Sequence, residues 1–388
     1  MIEAVPVTTP VCPIRELVQK FEQEFGVDSR EVFLFQHEGI ALPSETFRLQ
    51  LEGFIRYQPI PVQERIRKEF FGWGPLEDLL VDPSVTEIMV NAYDQVWVER
   101  QGCLTPHHDT FATPASYQNF LVRFFSLIKK NFSVEDPIIE GTFGRFRVHF
   151  VGQELSPGSP KLCLRCQPEI PWTLDSLLQM GWCEESAIPL LRQIIRERRN
   201  FLVVGSTGSG KTSLINALLR EMPSDERIII IEDTSELQCP NGVSMKLLTR
   251  EAMGDGVKSF SQLELLKSAL RLRPDRLVLG EMRGAEAKDF LLALSTGHEG
   301  SGGSLHASSA AQALLRLEML IQIGAPQWSL AAVRRLIALS LQFIIVVERK
   351  TRGFRQLQGI HQVASWEENG LTLNTCYQGK GHGDLVCR

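Results

Sequence analysis

Phe201-Leu202-Val203-Val204-Gly205-Ser206-Thr207-Gly208-Ser209-Gly210-Lys211-Thr212-Ser213-Leu214-Ile215-Asn216-Ala217-Leu218-Leu219 is the stretch whose reading decides the fold. An apolar strand pattern, Phe201–Val204, runs into Gly-x-x-x-x-Gly-Lys-Thr, and a helical pattern, Ser213–Leu219, follows. In that context the spacing marks a phosphate-binding loop. Glycines let the backbone wrap closely around phosphates, and the helix N-terminus adds exposed N–H groups and its dipole. The expected nucleotide-binding set is therefore Gly205, Ser206, Thr207, Gly208, Ser209, Gly210, Lys211, Thr212 and Ser213. Lys211 can reach the β- and γ-phosphates, and the Thr212 hydroxyl suits Mg²⁺. A glycine-serine turn matching by chance does not account for the lysine, the threonine and both flanking elements together.

The other half of such a site is an acid at a strand end, able to handle magnesium or the attacking water. Ile228–Ile231 is an apolar strand that delivers Glu232 and Asp233, and Leu277-Val278-Leu279-Gly280 delivers Glu281. Ligands sit at the carboxyl ends of strands in open α/β sheets, so all three acids face the expected site. The competing reading makes them caps for following helices. Between the two strands the pattern predicts a helix from Ser261 to Leu272, with Ser259 and Gln262 at capping-box spacing and Pro274 closing it. Beyond Glu281, Met282-Arg283-Gly284 opens a further helix. The segment Thr296–His306 is so rich in glycine that it reads as a mobile loop beside the nucleotide, carrying His298 and His306.

From Trp172 onward, helices alternate with short apolar strands, which implies a mainly parallel sheet covered on both faces. Upstream the pattern differs. Glu87–Asn91 and Gln95–Arg100 read as strands around a turn at Ala92-Tyr93-Asp94, and Leu121–Lys130 reads as a helix. Arg145–Gly152 and Lys161–Cys166 form an expected hairpin around Ser156-Pro157-Gly158-Ser159-Pro160. Helical patterns at Ile14–Phe25 and Glu64–Phe71 fill the start. The expected class is α/β, with three regions. Residues 1–70 are an N-terminal helical extension, 71–168 a smaller α+β domain, and 172–388 a P-loop domain with a mainly parallel sheet. Pro168 and Pro171 mark the boundary.

A length of 388 residues suits more than one domain, and 43% hydrophobic with 22% charged residues is ordinary for a globular chain. The net charge of −5 gives no overall pull towards nucleic acid. The longest apolar run, Leu336–Val347, is interrupted by Ser340 and Gln342. It falls short of the ~20 residues of a membrane span and reads as a buried strand or helix. Met1-Ile2-Glu3 lacks the start of a signal peptide. Eight scattered cysteines suggest free thiols in a reducing cytoplasm. Cys163 and Cys166 resemble half a zinc site, but no second pair follows and their segment alternates like a strand.

Taken together, the motifs resemble the secretion ATPase superfamily that drives type II and type IV secretion and type IV pili. Within it they look most like the CpaF/TadA-like branch serving tight-adherence (Flp) pili. Gly205–Thr212 is similar to the family's Walker A box, and Ile230-Ile231-Glu232-Asp233-Thr234-Ser235-Glu236-Leu237 to its Asp box. Leu270–Gly284 resembles its Walker B region, and Thr296–Ser301 with Leu305-His306-Ala307 its His box. Gly74–Leu80 and Val85–Asn91 look like the start of its N-terminal domain. The likeness covers about residues 70 to 350 and lacks the four-cysteine zinc insertion of many type II members.

The resemblance implies ATP and Mg²⁺ as cofactors and a catalytic set of Glu281, Glu232, Lys211, His298, His306, Arg147 and Arg165. Glu281 polarises the attacking water, and Thr212, Asp233 and Glu281 hold the metal, with Glu232 and Glu236 supporting that network. His298 and His306 sense the γ-phosphate side. Arg147 and Arg165 reach over from the N-terminal domain as arginine fingers do, with Arg145 as an alternative to Arg147. The resemblance thus implies that residues 71–168 cap the nucleotide, that 172–388 are RecA-like, and that the hinge lies near Pro168 and Pro171. Ser301-Gly302-Gly303-Ser304 is richer in glycine than the branch pattern, which predicts a loosely placed His306. The implied protein is a cytoplasmic, hexameric ATPase, peripheral at the inner membrane on platform proteins, with no nucleic acid expected. A nucleotide-binding scaffold with little turnover is the alternative. A GTPase or nucleic-acid motor ranks lower, because no Asn-Lys-x-Asp signature is present.

Overall fold

The computed structural model describes residues 11–26, 33–35, 41–100, 102–130, 133–167, 172–250, 258–350, 354–367 and 370–379. The chain divides into two units, Met1–Pro168 and Glu169–Arg388. Pro168 and Pro171, the expected hinge, lie outside the described residues, as do the first ten residues and the last nine.

In the first unit, helices Val11–Phe25, Glu45–Ile55 and Ile60–Phe71 bury apolar residues repeating at helical spacing. Ile14, Val18 and Phe21 meet Phe47, Leu51 and Ile55, and Val62, Ile66 and Phe70 close the cluster. Strands β1 (Phe33–Phe35) and β2 (Ala41–Pro43) pair antiparallel between the first two helices. Ala112 belongs to the same cluster as the helices. The fully buried Glu69 accepts from Ala112 N at 2.8 Å and pairs with Arg65 at 2.7 Å, while Arg65 also grips Asp109. The helical stretch is thus tied to residues 109–116 by both apolar packing and a buried ion pair.

A six-stranded antiparallel sheet follows. Its strands are β3 (Val85–Ala92), β4 (Gln95–Arg100), β5 (Cys103–Pro106), β6 (Ile138–Phe143), β7 (Phe146–Val151) and β8 (Lys161–Cys166), in the order β5-β4-β3-β8-β7-β6. Alternate residues such as Ile88, Val90, Val148, Phe150, Leu162 and Leu164 pack on Tyr117, Phe120 and Phe124 of helix Pro114–Leu127. That helix starts seven residues before the apolar pattern at Leu121, because Thr113 caps it and Pro114 occupies its first turn. The β7–β8 hairpin forms as expected, with Arg147 opposite Arg165. Cys163 donates to Glu87, and no metal-binding cluster occurs among the described residues.

The second unit is built on β9 (Phe201–Gly205), β10 (Ile228–Glu232), β11 (Met245–Leu248), β12 (Arg276–Leu279), β13 (Gly302–His306), β14 (Phe343–Arg349), β15 (Arg355–Glu367) and β16 (Gly370–Gln378). The order is β11-β10-β12-β13-β9-β14-β15-β16, parallel from β11 to β14 and antiparallel beyond. Period-two alternation feeds two cores. Leu202, Val204, Ile229 and Ile231 point to one, and Phe201, Val203, Ile228 and Ile230 to the other. Helices cover both faces.

Three sequence expectations change here. The apolar run Leu336–Val347 is neither one strand nor one helix: helix Leu330–Ser340 ends and β14 begins at Phe343. The capping box belongs to Ser261 and Glu264, two residues beyond the expected pair, with both reciprocal hydrogen bonds made. The glycine-rich segment is not a mobile loop throughout, because Gly302–His306 is a central strand. A Cβ on Gly302 would run into the ring of Phe201, and one on Gly303 would come within 2.8 Å of the Leu279 carbonyl oxygen. Glycine is there to let neighbouring strands and a phenyl ring approach. No helix among the described residues is long and apolar enough to cross a membrane.

Candidate nucleotide site

The loop after β9 has the backbone that its glycines allow. Gly208 and Gly210 sit in the left-handed region, at φ 70° and 98°. Gly205 has no room for a side chain, being closed in by Ser209 Oγ and the Val347 carbonyl. Gly210 starts helix Lys211–Arg220 and supplies no side-chain acceptor, which leaves the first-turn N–H groups for an anion. Ser209 Oγ is buried without a hydrogen-bond partner among the described residues. Lys211 is 8% exposed, and its ammonium donates to the carbonyls of Gly205 (3.1 Å) and Ser206 (3.0 Å).

The Lys211 ammonium also lies 3.4 Å from His306 Nδ1, and His306 Nε2 lies 3.0 Å from Glu281 Oε1. Since an ammonium can only donate, Nδ1 accepts and Nε2 carries the proton towards Glu281. Burial and then the Lys211 charge push the His306 pKa below its ordinary value, favouring this neutral form against the pull of Glu281. For Glu281, burial opposes ionisation, but the Arg283 hydrogen bond and the charges of His306, Arg283 and Lys211 outweigh it. Its carboxyl is held below the usual range. Arg283 reaches Glu281 Oε2 at 2.8 Å and Asp233 Oδ2 at 3.5 Å, so one guanidinium links two strand-end acids.

Glu232 is 3% exposed at the end of β10. Its Oε1 accepts from the backbone N–H groups of Glu236 (3.1 Å) and Leu237 (2.9 Å), which folds the turn after the strand. Its Oε2 has no hydrogen-bond partner among the described residues, with Lys246 at 3.6 Å. Burial pushes its pKa up to about 7. The turn brings Glu236 to Thr212, whose hydroxyl donates to Glu236 Oε2 at 3.1 Å. Asp233 does not reach Thr212. It takes hydrogen bonds from Thr249 and Gln262 and lines a cavity of about 420 Å³ with Arg283. The carboxylate beside the Thr212 hydroxyl is that of Glu236.

His298 does not join this cluster. β13 runs parallel to β9, and His306 pairs with Gly205, whereas His298 precedes the start of the strand. Four residues at roughly 3.3 Å each separate the two ends of β13. The His298 imidazole sits 3.2 Å from the Ala293 carbonyl. In the other unit, Arg147 and Arg165 are cross-strand neighbours on β7 and β8, whereas Arg145 donates to the carbonyls of Leu80 and Asp82. Arg145 is therefore used internally, and Arg147 faces Glu140 at 4.0 Å.

Two arginines escaped the sequence reading. Arg355 Nε donates to the Gly208 carbonyl at 2.8 Å, and a Cβ on Gly208 would lie 3.1 Å from Arg349 Nη1. Arg349 stands opposite Arg355 across β14–β15, and β14 lies parallel beside β9. Arg349, two residues past the end of the apolar run, was the available signal, but it required knowing that this run neighbours the loop strand.

Comparison with known proteins bears on what this loop serves. The model of the family described as type II/IV secretion system protein matches residues 138–383. The chain belongs to that family. Among its relatives, a putative conjugal transfer protein of Mycobacterium tuberculosis is 32% identical over 326 residues, covering 82% of this chain and 92% of the relative. The conjugal transfer protein TrbB of Rhizobium radiobacter is 32% identical over 291 residues, covering 73% and 85%. Solved structures share the fold of this type II/IV secretion family chain. They include the Legionella pneumophila ATPase DotB, with a TM-score of 0.51 and 18% identity over 71% of this chain and 76% of that one. The ADP-bound pilus retraction motor PilT has a TM-score of 0.50 and 19% identity over 77% and 80%.

The residues present fit a nucleotide with a hard cation. The uncapped helix start, the left-handed glycines and the buried lysine suit phosphate oxygens, and the Thr212 hydroxyl beside the Glu236 carboxylate suits Mg²⁺.

Proposed function

We propose that this chain is an Mg²⁺-dependent ATPase of the CpaF/TadA-like branch, powering assembly of a Flp-like pilus or protein export across the bacterial envelope. The observation that carries the ATPase reading is the unbroken link from Lys211 through His306 to Glu281, laid across the phosphate loop. ATP supplies the phosphoanhydride, and Mg²⁺ neutralises charge on it. Lys211 and the first-turn N–H groups of its helix hold the phosphates. Glu281, kept ionised, orients and polarises the attacking water, and His306 fixes the direction of that carboxylate. Thr212 is the residue assigned to the cation, with Glu236 beside it.

Arg147 and Arg165 are assigned to charge that develops on the transferred phosphoryl, in the manner of arginine fingers. We assign the working form as a hexamer at the cytoplasmic side of the inner membrane, on platform proteins of the secretion or pilus machinery. Phosphate release from ATP, measured for the parent and for Lys211→Ala, tests the reading. A Lys211→Ala protein as active as the parent rules it out. A parent that binds ATP but turns it over no faster than Glu281→Gln is a scaffold instead. Chemical crosslinking and mass measurement with ATP test the hexamer.

A further inference from the structure

The phosphate loop has two flanks. On the β13 and β12 side stand His306 and Glu281, the groups suited to the γ-phosphate end. On the β14 side stand Arg349 and Arg355, brought together by the β14–β15 register. Because β14 is parallel to β9, with Val346 opposite Val204, Arg349 follows at the carboxyl end, level with the loop. Arg355 Nε fixes the Gly208 carbonyl at 2.8 Å, and its Cδ would lie 3.5 Å from a Cβ on Gly210. Arg349 Nη1 is within 3.1 Å of where a Gly208 side chain would begin. Both glycines of positive φ in the loop thus have an arginine against them.

We propose that Arg349 binds the α-phosphate end of the nucleotide, and that Arg355 is a positioning residue that holds the loop backbone for it. This rests on the ATPase reading and deepens it. The reacting acid lies on one flank of the loop, so the unreactive end of the nucleotide leaves over the other. A guanidinium there offers paired donors to phosphate oxygens that do not change during the reaction. Such a contact acts equally on ATP and ADP, and it strengthens binding without favouring the transition state. Arg355 acts through Gly208, by setting the peptide orientation from which the loop N–H groups follow.

The test is a titration of the full-length chain with ADP and with ATP in the presence of Mg²⁺, followed by calorimetry or a fluorescent nucleotide analogue. Arg349→Ala is expected to weaken both nucleotides by a similar factor, on the order of tenfold or more, as loss of a charged hydrogen bond does. Arg349→Lys recovers part of it, and the parent melting temperature is kept in the absence of nucleotide. Arg355→Ala weakens both nucleotides too, but it also raises amide hydrogen exchange across Gly205–Lys211 without nucleotide, which Arg349→Ala does not. ADP binding by Arg349→Ala within twofold of the parent overturns the inference. So does loss of ATP binding alone, since that places Arg349 at the γ-phosphate. A parent that binds neither nucleotide overturns the ATPase reading itself, and this inference with it.

Discussion

His306 Nε2 lies 3.0 Å from Glu281 Oε1, and the opposite nitrogen of the same ring faces the Lys211 ammonium at 3.4 Å. A neutral imidazole therefore separates the Lys211 ammonium from the strand-end acid and ties the position of each to the other. Lys211→Ala removes the cation and leaves His306 without its donor. Steady-state ATP hydrolysis is expected to fall at least 100-fold, with nucleotide binding also weakened. Glu281→Gln should lose turnover to a similar degree while retaining ATP.

The bridge predicts an acid limb in the pH profile. His306 has its pKa depressed by burial and by Lys211, so the neutral ring is favoured at physiological pH and gives way to the cation at a pH below the ordinary histidine value. Protonation there replaces an acceptor with a second positive charge against Lys211. Turnover should drop as pH falls through that region. In His306→Asn the rate should be lower throughout, and this limb should be absent.

Glu232 titrates in the opposite sense. Its pKa is raised by burial from 4.5 to about 7, so the fold favours the protonated acid. The stabilisation is complete below pH 4.5 and is lost as pH rises through about 7. Glu232→Gln has no such titration and keeps an oxygen for the Glu236 and Leu237 amides. Its stability relative to the parent should rise across that window, by on the order of 1–3 kcal/mol. Denaturant melts at pH 4.5 and pH 8 give the comparison.

Gly303 tests the packing of β13. Its Cβ would press on the Leu279 carbonyl, so Gly303→Ala should cost about 1–3 kcal/mol and reduce turnover through a displaced His306. Gly242→Ala, with open space at its Cβ, should be close to neutral. Parallel chemical denaturation and ATPase assays distinguish the two.

Much of the second unit was legible because its strands are short apolar runs that stop on polar residues. Phe201–Val204 and Ile228–Ile231 both become buried parallel strands, and Gly205–Thr212 forms the loop that its spacing implies. Three features were not legible in the sequence, for a shared physical reason. Gly302 and Gly303 have no side chains to announce a strand, since the apolar surface they pack on belongs to Phe201 and the backbone to Leu279. Asp233 and Glu236 lie three residues apart, and only the turn folded by Glu232 decides that Glu236 meets Thr212. Arg349 and Arg355 become neighbours of the loop through the sheet order β9-β14-β15, a long-range pairing that no local pattern encodes.

The closeness of β13 to its neighbours also limits how the site can signal. A strand wedged between a phenyl ring and a carbonyl has almost no travel, so motion at His306 is left to its own side chain. Any turn of that ring is handed to the Glu281 carboxylate and on to the Arg283 guanidinium, which reaches Asp233 at the far end. The device is closer to a train of gears on a fixed plate than to a sliding lever.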